Sequence, residues 1–249
     1  SFMIDRVCYL GDDDLGGAAL YLAGIMTHFG LPFDHVDSTD SPGDDFCSRR
    51  YGLYVISDYP SQRFKPGQLE HIVECVRQGS GLAMFGGWES YHGRLGEYHR
   101  SPLADVLPVE MADEDDRRNY AQPCLIKKTA DHAMLEGIPW EMPPGIGGFN
   151  AFQPKADAQT LLASVRFSVN FEDNDYTFTA EDETPLLVVG GYGEGRVTAL
   201  ATDVAPHWVG GFVDWGNQRV VADVGDDFID VGNWYARFFR QLLQWTSRF

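Results

Sequence analysis

The sequence predicts an α/β fold, a doubly wound and mostly parallel sheet with an antiparallel extension. Three observations carry that prediction. Over roughly the first ninety residues, short apolar runs alternate with stretches of helical periodicity. After Pro102 the apolar runs are strand-like and joined by turns and long loops, with little helix between them. The chain then closes on Trp234, Phe238, Leu242 and Trp245 at helical spacing.

Residues 6–10 form a short run that can be buried on both faces, and the segment GDDDLGG breaks it before residues 18–29 take up helical periodicity. Gly30 ends that helix, residues 33–36 read as a second strand, and residues 37–50 are a polar loop rich in turn formers. Residues 54–57 make a third strand, stopped by Asp58-Tyr59-Pro60. From 66 to 78, Leu69, Ile72, Val73 and Val76 mark one face of a helix, with Gly79 placed to cap it. Residues 82–85 are a fourth strand. Such alternation favours a parallel sheet covered on both faces and joined by right-handed crossovers. Residues 124–127, 160–165, 185–189 and 197–202 are further strands, better placed as an extension of the same sheet than as a second domain. Residues 231–245 suit a terminal helix docked on it. The expected organisation is a single domain over 1–249, with 1–100 as the parallel core and 101–249 as the extension and C-terminal helix.

Composition narrows the function. A chain of 249 residues, 44% of them hydrophobic, can bury one ample core. Nineteen Lys and Arg against thirty-seven Asp and Glu leave a formal charge of −18. That field repels phosphate backbones and anionic headgroups, so neither nucleic acid nor a membrane is an expected partner. No uncharged apolar run reaches the ~18 residues of a bilayer span, and no secretory signal is legible, so a cytoplasmic location is expected. Cys8, Cys47, Cys75 and Cys124 lack C-x-x-C spacing, which excludes zinc ribbons and dithiol motifs and predicts reduced thiols.

In an open parallel sheet, ligands bind beyond the carboxyl ends of the strands. The segments there supply Asp12, Asp13 and Asp14, then Asp58 and Tyr59, then residues 86–92, and finally Asp203, His207 and Trp208. Of these, Asp12, Asp13, Asp58, Gly86, Gly87, Trp88, Glu89, Tyr91, His92, His207 and Trp208 are expected to line a ligand crevice. Trp88, Tyr91, Trp208 and Trp215 lie in glycine-rich loops rather than at core periodicity. Such rings stack on a sugar or another flat polar ligand, or else close the sheet's end or a subunit interface.

The segment GLAMFGGWESYHG from Gly81 to Gly93 resembles the putative glutamine amidotransferases within the class I glutamine amidotransferase-like superfamily. So do YGLYVISDYP from Tyr51, PLADVLPVE from Pro102, DHAMLEGIPWEMPPGIGGFN from Asp131 and GGYGEGRVTALATDVAPHW from Gly190. The resemblance spans most of the chain. It implies a flavodoxin-like sheet whose fourth strand leads into a tight turn, where an active amidotransferase carries the Cys of a G-x-C-x-G nucleophile elbow. The elbow exposes a thiolate while backbone N–H groups stabilise the oxyanion of the intermediate. This sequence departs from it: Gly86, Gly87 and Trp88 occupy the stretch, and glycine has no side chain with which to attack an amide carbon. Glutaminase activity is therefore not expected, and Cys75 and Cys8 read as packing residues within the helix and the first strand.

Glu89, His207 and Ser90 are the remaining catalytic candidates. Ser90 could act as nucleophile with His207 as base, or simply cap a turn. Glu89 could serve as general acid/base or hold a ligand hydroxyl, or sit in a first helical turn favoured by the dipole. Asp12, Asp13, Asp14, Asp58, Asp203, His92 and His207 are metal-ligand types, but their spacing is not diagnostic and no metal is assigned. The acidic stretch 172–183 fails as a calcium loop, because Phe178 stands where glycine is required and Thr184 where the bidentate glutamate is. Gly11, Gly16 and Gly17 match neither nucleotide-binding pattern, and no cofactor is named. The expected function is a cytoplasmic amidotransferase-like protein binding a small polar molecule, a carbohydrate or an amide-bearing metabolite. The alternatives are a hydrolase or metal-dependent enzyme using Glu89, His207 and Asp58, and an oligomeric scaffold with aromatic loops buried between subunits.

Overall fold

A computed structural model describes residues 2–249, with side chains described from Asp5 onward. In β1 (Phe2–Gly11), Val7, Cys8, Tyr9 and Leu10 are all fully buried, so this strand is covered on both faces, as an uninterrupted apolar run requires. After α1 (Leu20–His28), β2 (Phe33–Val36) pairs in parallel on one side of β1, whereas β3 (Arg50–Ser57) pairs in parallel on the other. The chain thus reverses its direction of growth at β1, which opens a crevice beyond the carboxyl ends of β1 and β3. α2 (Gln68–Arg77) buries Ile72, Cys75 and Val76, and β4 (Gly81–Phe85) then joins β3 in parallel.

Next come α3 (Leu103–Val106), β5 (Val109–Met111), β6 (Arg117–Lys128), β7 (Gly145–Asn150), β8 (Phe152–Pro154), β9 (Gln159–Glu172), β10 (Asp175–Tyr192) and β11 (Gly195–Leu200). The main sheet has nine strands in the order β2-β1-β3-β4-β11-β10-β9-β6-β7. β11 lies parallel to β4 and antiparallel to β10, so the extension grows from the parallel core without a break. β5 and β8 form a separate two-stranded pair.

After α4 (Pro206–Val209), β12 (Arg219–Val224) and β13 (Asp227–Gly232) make a hairpin that packs on α1. The fit is close enough that a Cβ at Gly24 would stand 2.6 Å from Ile229 Cδ1. The closing helix, α5 (Asn233–Ser247), packs Phe239 edge-on to Phe85 of β4, with ring centroids 5.4 Å apart. It begins two residues later than the aromatic spacing suggests, because Val231 and Gly232 belong to β13. The expected strands at 160–165 and 185–189 are the inner parts of far longer ones. β9 and β10 run on to a turn at Asp173 and Asn174, both with positive φ (51° and 61°), as a tight hairpin of right-handed twist demands. Among the described residues, no helix is long and apolar enough to cross a membrane.

Candidate functional site

The carboxyl ends of β1, β3, β4 and β11 converge on a crevice of about 580 Å³. It is lined by Asp12, Asp13, Ala18, Asp58, Trp88, Glu89, Arg94, Leu95, Asp203, Ala205 and His207. β1 and β3 deliver Asp12 and Asp58 where they stop, and Glu89 and Asp203 follow within four residues of the ends of β4 and β11. Asp12, Asp13 and Asp58 have φ of 57°, 60° and 48°, the left-handed region that short polar side chains tolerate best, and the sharp bends leave these residues beside the crevice. Tyr9 donates its hydroxyl to Asp12, and Ser38 donates to Asp13 Oδ1 at 2.8 Å.

The turn after β4 decides what the crevice can do. A Cβ on Gly86 would lie 1.9 Å from the carbonyl oxygen of Ala201, and one on Gly87 would lie 2.4 Å from Asp58 Oδ1. Gly86 faces main chain and has no room for a side chain, a cysteine included, and at Gly87 a side chain could enter only if the Asp58 carboxyl moved. The backbone is also unlike a strained elbow, since neither glycine nor Trp88 is among the residues with positive φ.

Nor are the turn's amides free. Gly86 N–H donates to Thr202 O at 2.9 Å and Gly87 N–H to Asn150 Oδ1 at 2.9 Å, while Trp88 and Glu89 both donate to Asp58, the latter at 2.6 Å. An oxyanion needs unengaged donors. Here the chain's own carboxyl occupies that role. Asn150 in turn donates to Asp116 Oδ1 at 2.8 Å, and Asp116 also accepts the N–H groups of His92 and Gly93. A buried polar pair therefore fixes the turn from beneath.

Burial sets the electrostatics. Asp12 and Asp203, both fully enclosed, have their carboxyls pushed well above the usual range, first by desolvation and then by neighbouring acids, Asp203 and Asp58 acting on Asp12 and Asp58 on Asp203. Asp58 is raised by burial, against the pull of its bonds from Glu89 and Trp88. Glu89, half-buried, is raised by desolvation and by Asp58. Crowded carboxyls in a low-dielectric crevice share protons rather than all ionising. The result is a wall of hydrogen-bond acceptors with some acid protons. Trp88 stands across from it, 38% exposed, with the Arg117 guanidinium 4.4 Å from its ring centroid and His207 edge-on at 6.0 Å.

Several predicted site residues lie elsewhere. Ser90 is fully buried and its Oγ accepts the N–H of Asp58 at 3.0 Å, so it shapes the crevice from behind rather than facing it. Tyr91 is also fully buried and donates to the carbonyls of Met84 and Leu200 at 2.9 Å, tying β4 to β11. His92 stacks on His99 at 4.1 Å, outside the crevice. Trp208 is buried with its indole N–H on Asn119 Oδ1, and its ring fills the space that a Cβ on Gly148 would need. Trp215 packs against Trp140 and Phe212. Asp12, Asp13, Asp58, Trp88, Glu89 and His207 do line the crevice.

Asp203, which the sequence places after a late strand and among the metal-ligand types but not among the ligand-lining residues, is a wall of the crevice. Arg94 and Leu95 carried no signal; the turn closed by Gly93 (φ 53°) brings them round to the rim. Among the described residues, no group of three or more His, Cys, Asp or Glu side chains is disposed to hold a metal ion. A thiol–imidazole contact exists away from the crevice, Cys75 Sγ to His71 Nε2 at 3.5 Å on α2. There burial raises the thiol, and the same ring nitrogen sits 2.7 Å from Arg49 O.

The sequence profile of the family described as "Putative glutamine amidotransferase" matches residues 53–229. The chain belongs to this family. Two solved structures from the same architectural group are Cytoplasmic Protein STM3548 from Salmonella typhimurium and Cytoplasmic Protein STM1381 from Salmonella typhimurium LT2. The first is 25% identical with a TM-score of 0.71 over 96% of this chain and 98% of that one. The second is 23% identical with a TM-score of 0.73 over 97% and 99%. A "Putative thua-like protein" from Parabacteroides merdae ATCC 43184 shares the fold at 13% identity, with a TM-score of 0.57 over 97% of this chain and 89% of that one. No curated protein matches. The family is consistent with the flavodoxin-like sheet.

Proposed function

We propose that this chain is a cytoplasmic member of the family that does not hydrolyse glutamine and instead binds a small polar molecule, a carbohydrate or an amide-bearing metabolite, in the acidic crevice. The observation that carries the reading is the Asp58 carboxyl, which takes both the space beside Gly87 and the N–H groups of Trp88 and Glu89. With that turn closed, the crevice offers recognition: acceptors on Asp12, Asp13, Asp58, Asp203 and Glu89 for hydroxyl or amide N–H donors, and the exposed indole of Trp88 for an apolar ring face. Its volume is in the range of small-molecule sites. The cytoplasmic part of the reading is supported by the names of the two Salmonella proteins.

The test pairs an ammonia-release assay on glutamine with calorimetric titration of glucose, glucosamine, N-acetylglucosamine, asparagine and glutamine. The expected result is no ammonia above a protein-free blank, and binding of at least one compound that is lost in Trp88→Ala. Ammonia release at enzymatic rates, or a silent panel, overturns the reading. A second reading rests on Glu89, a half-buried acid lining the crevice with its carboxyl raised by burial and by Asp58, which is the direction a general acid requires. If a panel compound is turned over, Glu89→Gln should abolish turnover while leaving binding intact.

A further inference from the structure

Beyond Val165 and Thr184, β9 and β10 leave the sheet as a two-stranded ribbon. β6 pairs with β9 only between Leu162 and Val165, and β11 pairs with β10 only from Leu187 to Tyr192. The ribbon pairs Phe171 with Tyr176, Val169 with Phe178 and Phe167 with Ala180, and residues directly opposite one another share a face. One face is therefore continuously apolar, with the Phe171 and Tyr176 rings 4.6 Å apart. The other carries Ser168, Asn170, Glu172, Asp175, Thr177 and Thr179. A bare two-stranded ribbon is marginal in water and gains stability when such a face is covered.

At the ribbon's base the same face runs into a groove of about 650 Å³, walled by Leu125, Trp140, Pro143, Val165, Phe167 and Phe178. A projecting aromatic tip and a largely apolar recess, lined also by Lys127, Lys128 and Glu141, thus lie on one face of one chain. That combination closes under a twofold axis, because each tip can enter the other copy's groove and every contact occurs twice. We propose that this face is the interface of a homodimer in which the β9–β10 ribbons are exchanged between subunits.

The area supports the choice of occupant. Val169, Phe171, Tyr176, Phe178 and Leu125 are each between 39% and 67% exposed. Taking roughly 200 Å² for a fully accessible large side chain, they present about 500 Å² per chain. Pairing two copies removes about 1,000 Å², the area a specific interface must reach. The ribbon's other face is polar and stays in water, as face-to-face pairing of two copies leaves it.

Sedimentation velocity over a concentration series tests this. The whole chain should run as a dimer, and Phe171→Glu with Tyr176→Ser should raise the dissociation constant on the order of thirtyfold or more. Both residues are exposed, so the circular dichroism spectrum of the variant should match that of the parent, while its melting should lose the parent's dependence on protein concentration. Leu125→Glu, on the groove side, should dissociate the dimer too, and mixing the tip and groove variants should restore part of it, because one of the two tip-to-groove contacts is then intact. A parent that stays monomeric up to about 100 μM, or a dimer indifferent to both variants, overturns the proposal.

Discussion

Replacing Gly87 by alanine tests how the turn after β4 is filled. Gly87 does not have positive φ, so alanine is conformationally acceptable there and, in open space, would stabilise the chain by about 0.4–1 kcal/mol through the unfolded state. The new methyl would instead meet Asp58 Oδ1 at 2.4 Å and Cγ at 2.5 Å. Asp58 cannot swing aside without leaving the N–H groups of Trp88 and Glu89 unpaired. Losing a hydrogen bond to a charged acceptor costs about 1.5–3 kcal/mol, and overpacking costs a further 1–3 kcal/mol. A net destabilisation of about 3 kcal/mol is expected, read from the urea midpoint by tryptophan fluorescence. Asp58→Ala vacates the space, so the double variant should be no less stable than Asp58→Ala alone, giving a coupling of about 2–3 kcal/mol. If Gly87→Ala lies within about 0.5 kcal/mol of the parent, or the two changes simply add, Asp58 does not hold that position.

Other predictions follow from the same geometry. Asp12, Asp58 and Asp203 keep their protons to higher pH in the folded chain than in the unfolded one, so this contribution is full below about pH 4 and is lost as pH rises through the elevated folded values. The urea midpoint should therefore fall as pH rises above the ordinary carboxyl range of about 4, and Asp203→Asn should flatten the decline; an unchanged slope refutes the assignment. Glu74, held down to about 2 by its bonds from Arg77 and Gln78, acts only at lower pH and does not confuse that window. Tyr91→Phe should cost about 1–3 kcal/mol by stripping a donor from two buried carbonyls, without altering any ligand response of Trp88 fluorescence. Native iodoacetamide labelling should modify Cys47 alone, as judged by peptide mass spectrometry, because Cys8, Cys75 and Cys124 are buried and desolvation raises their thiols.

Much of the parallel core was legible because its signals are local. Leu69, Ile72, Val73 and Val76 recur at the helical period, and Tyr54 to Ser57 ends at a proline-bearing turn. The carboxyl ends of the strands follow from these signals, and with them the segments that bring Asp12, Asp13, Asp58 and Glu89 to one crevice. The failures were non-local. Tyr91 and Trp208 looked like ligand platforms because glycines surround them. Yet Gly148 is small in order to receive the Trp208 ring, and nothing near residue 208 says that residue 148 will lie beneath it. Asp116 and Asn150 come from separate loops and strands to brace one turn, a juxtaposition with no sequence period. The ribbon is hidden for a different reason: the acidic stretch 172–183 is weighed only as a calcium loop, while Phe167, Val169, Phe171, Tyr176 and Phe178 alternate with polar residues as strands do.

The seat taken by Asp58 has a historical side. A codon change that placed a thiol at Gly87 would meet an occupied seat, since the aspartate must move and release the amides it holds. At Gly86 the neighbour is the main-chain carbonyl of Ala201, which no exchange of side chains removes, so only one of the two glycines leaves natural selection a route to a nucleophile at this turn.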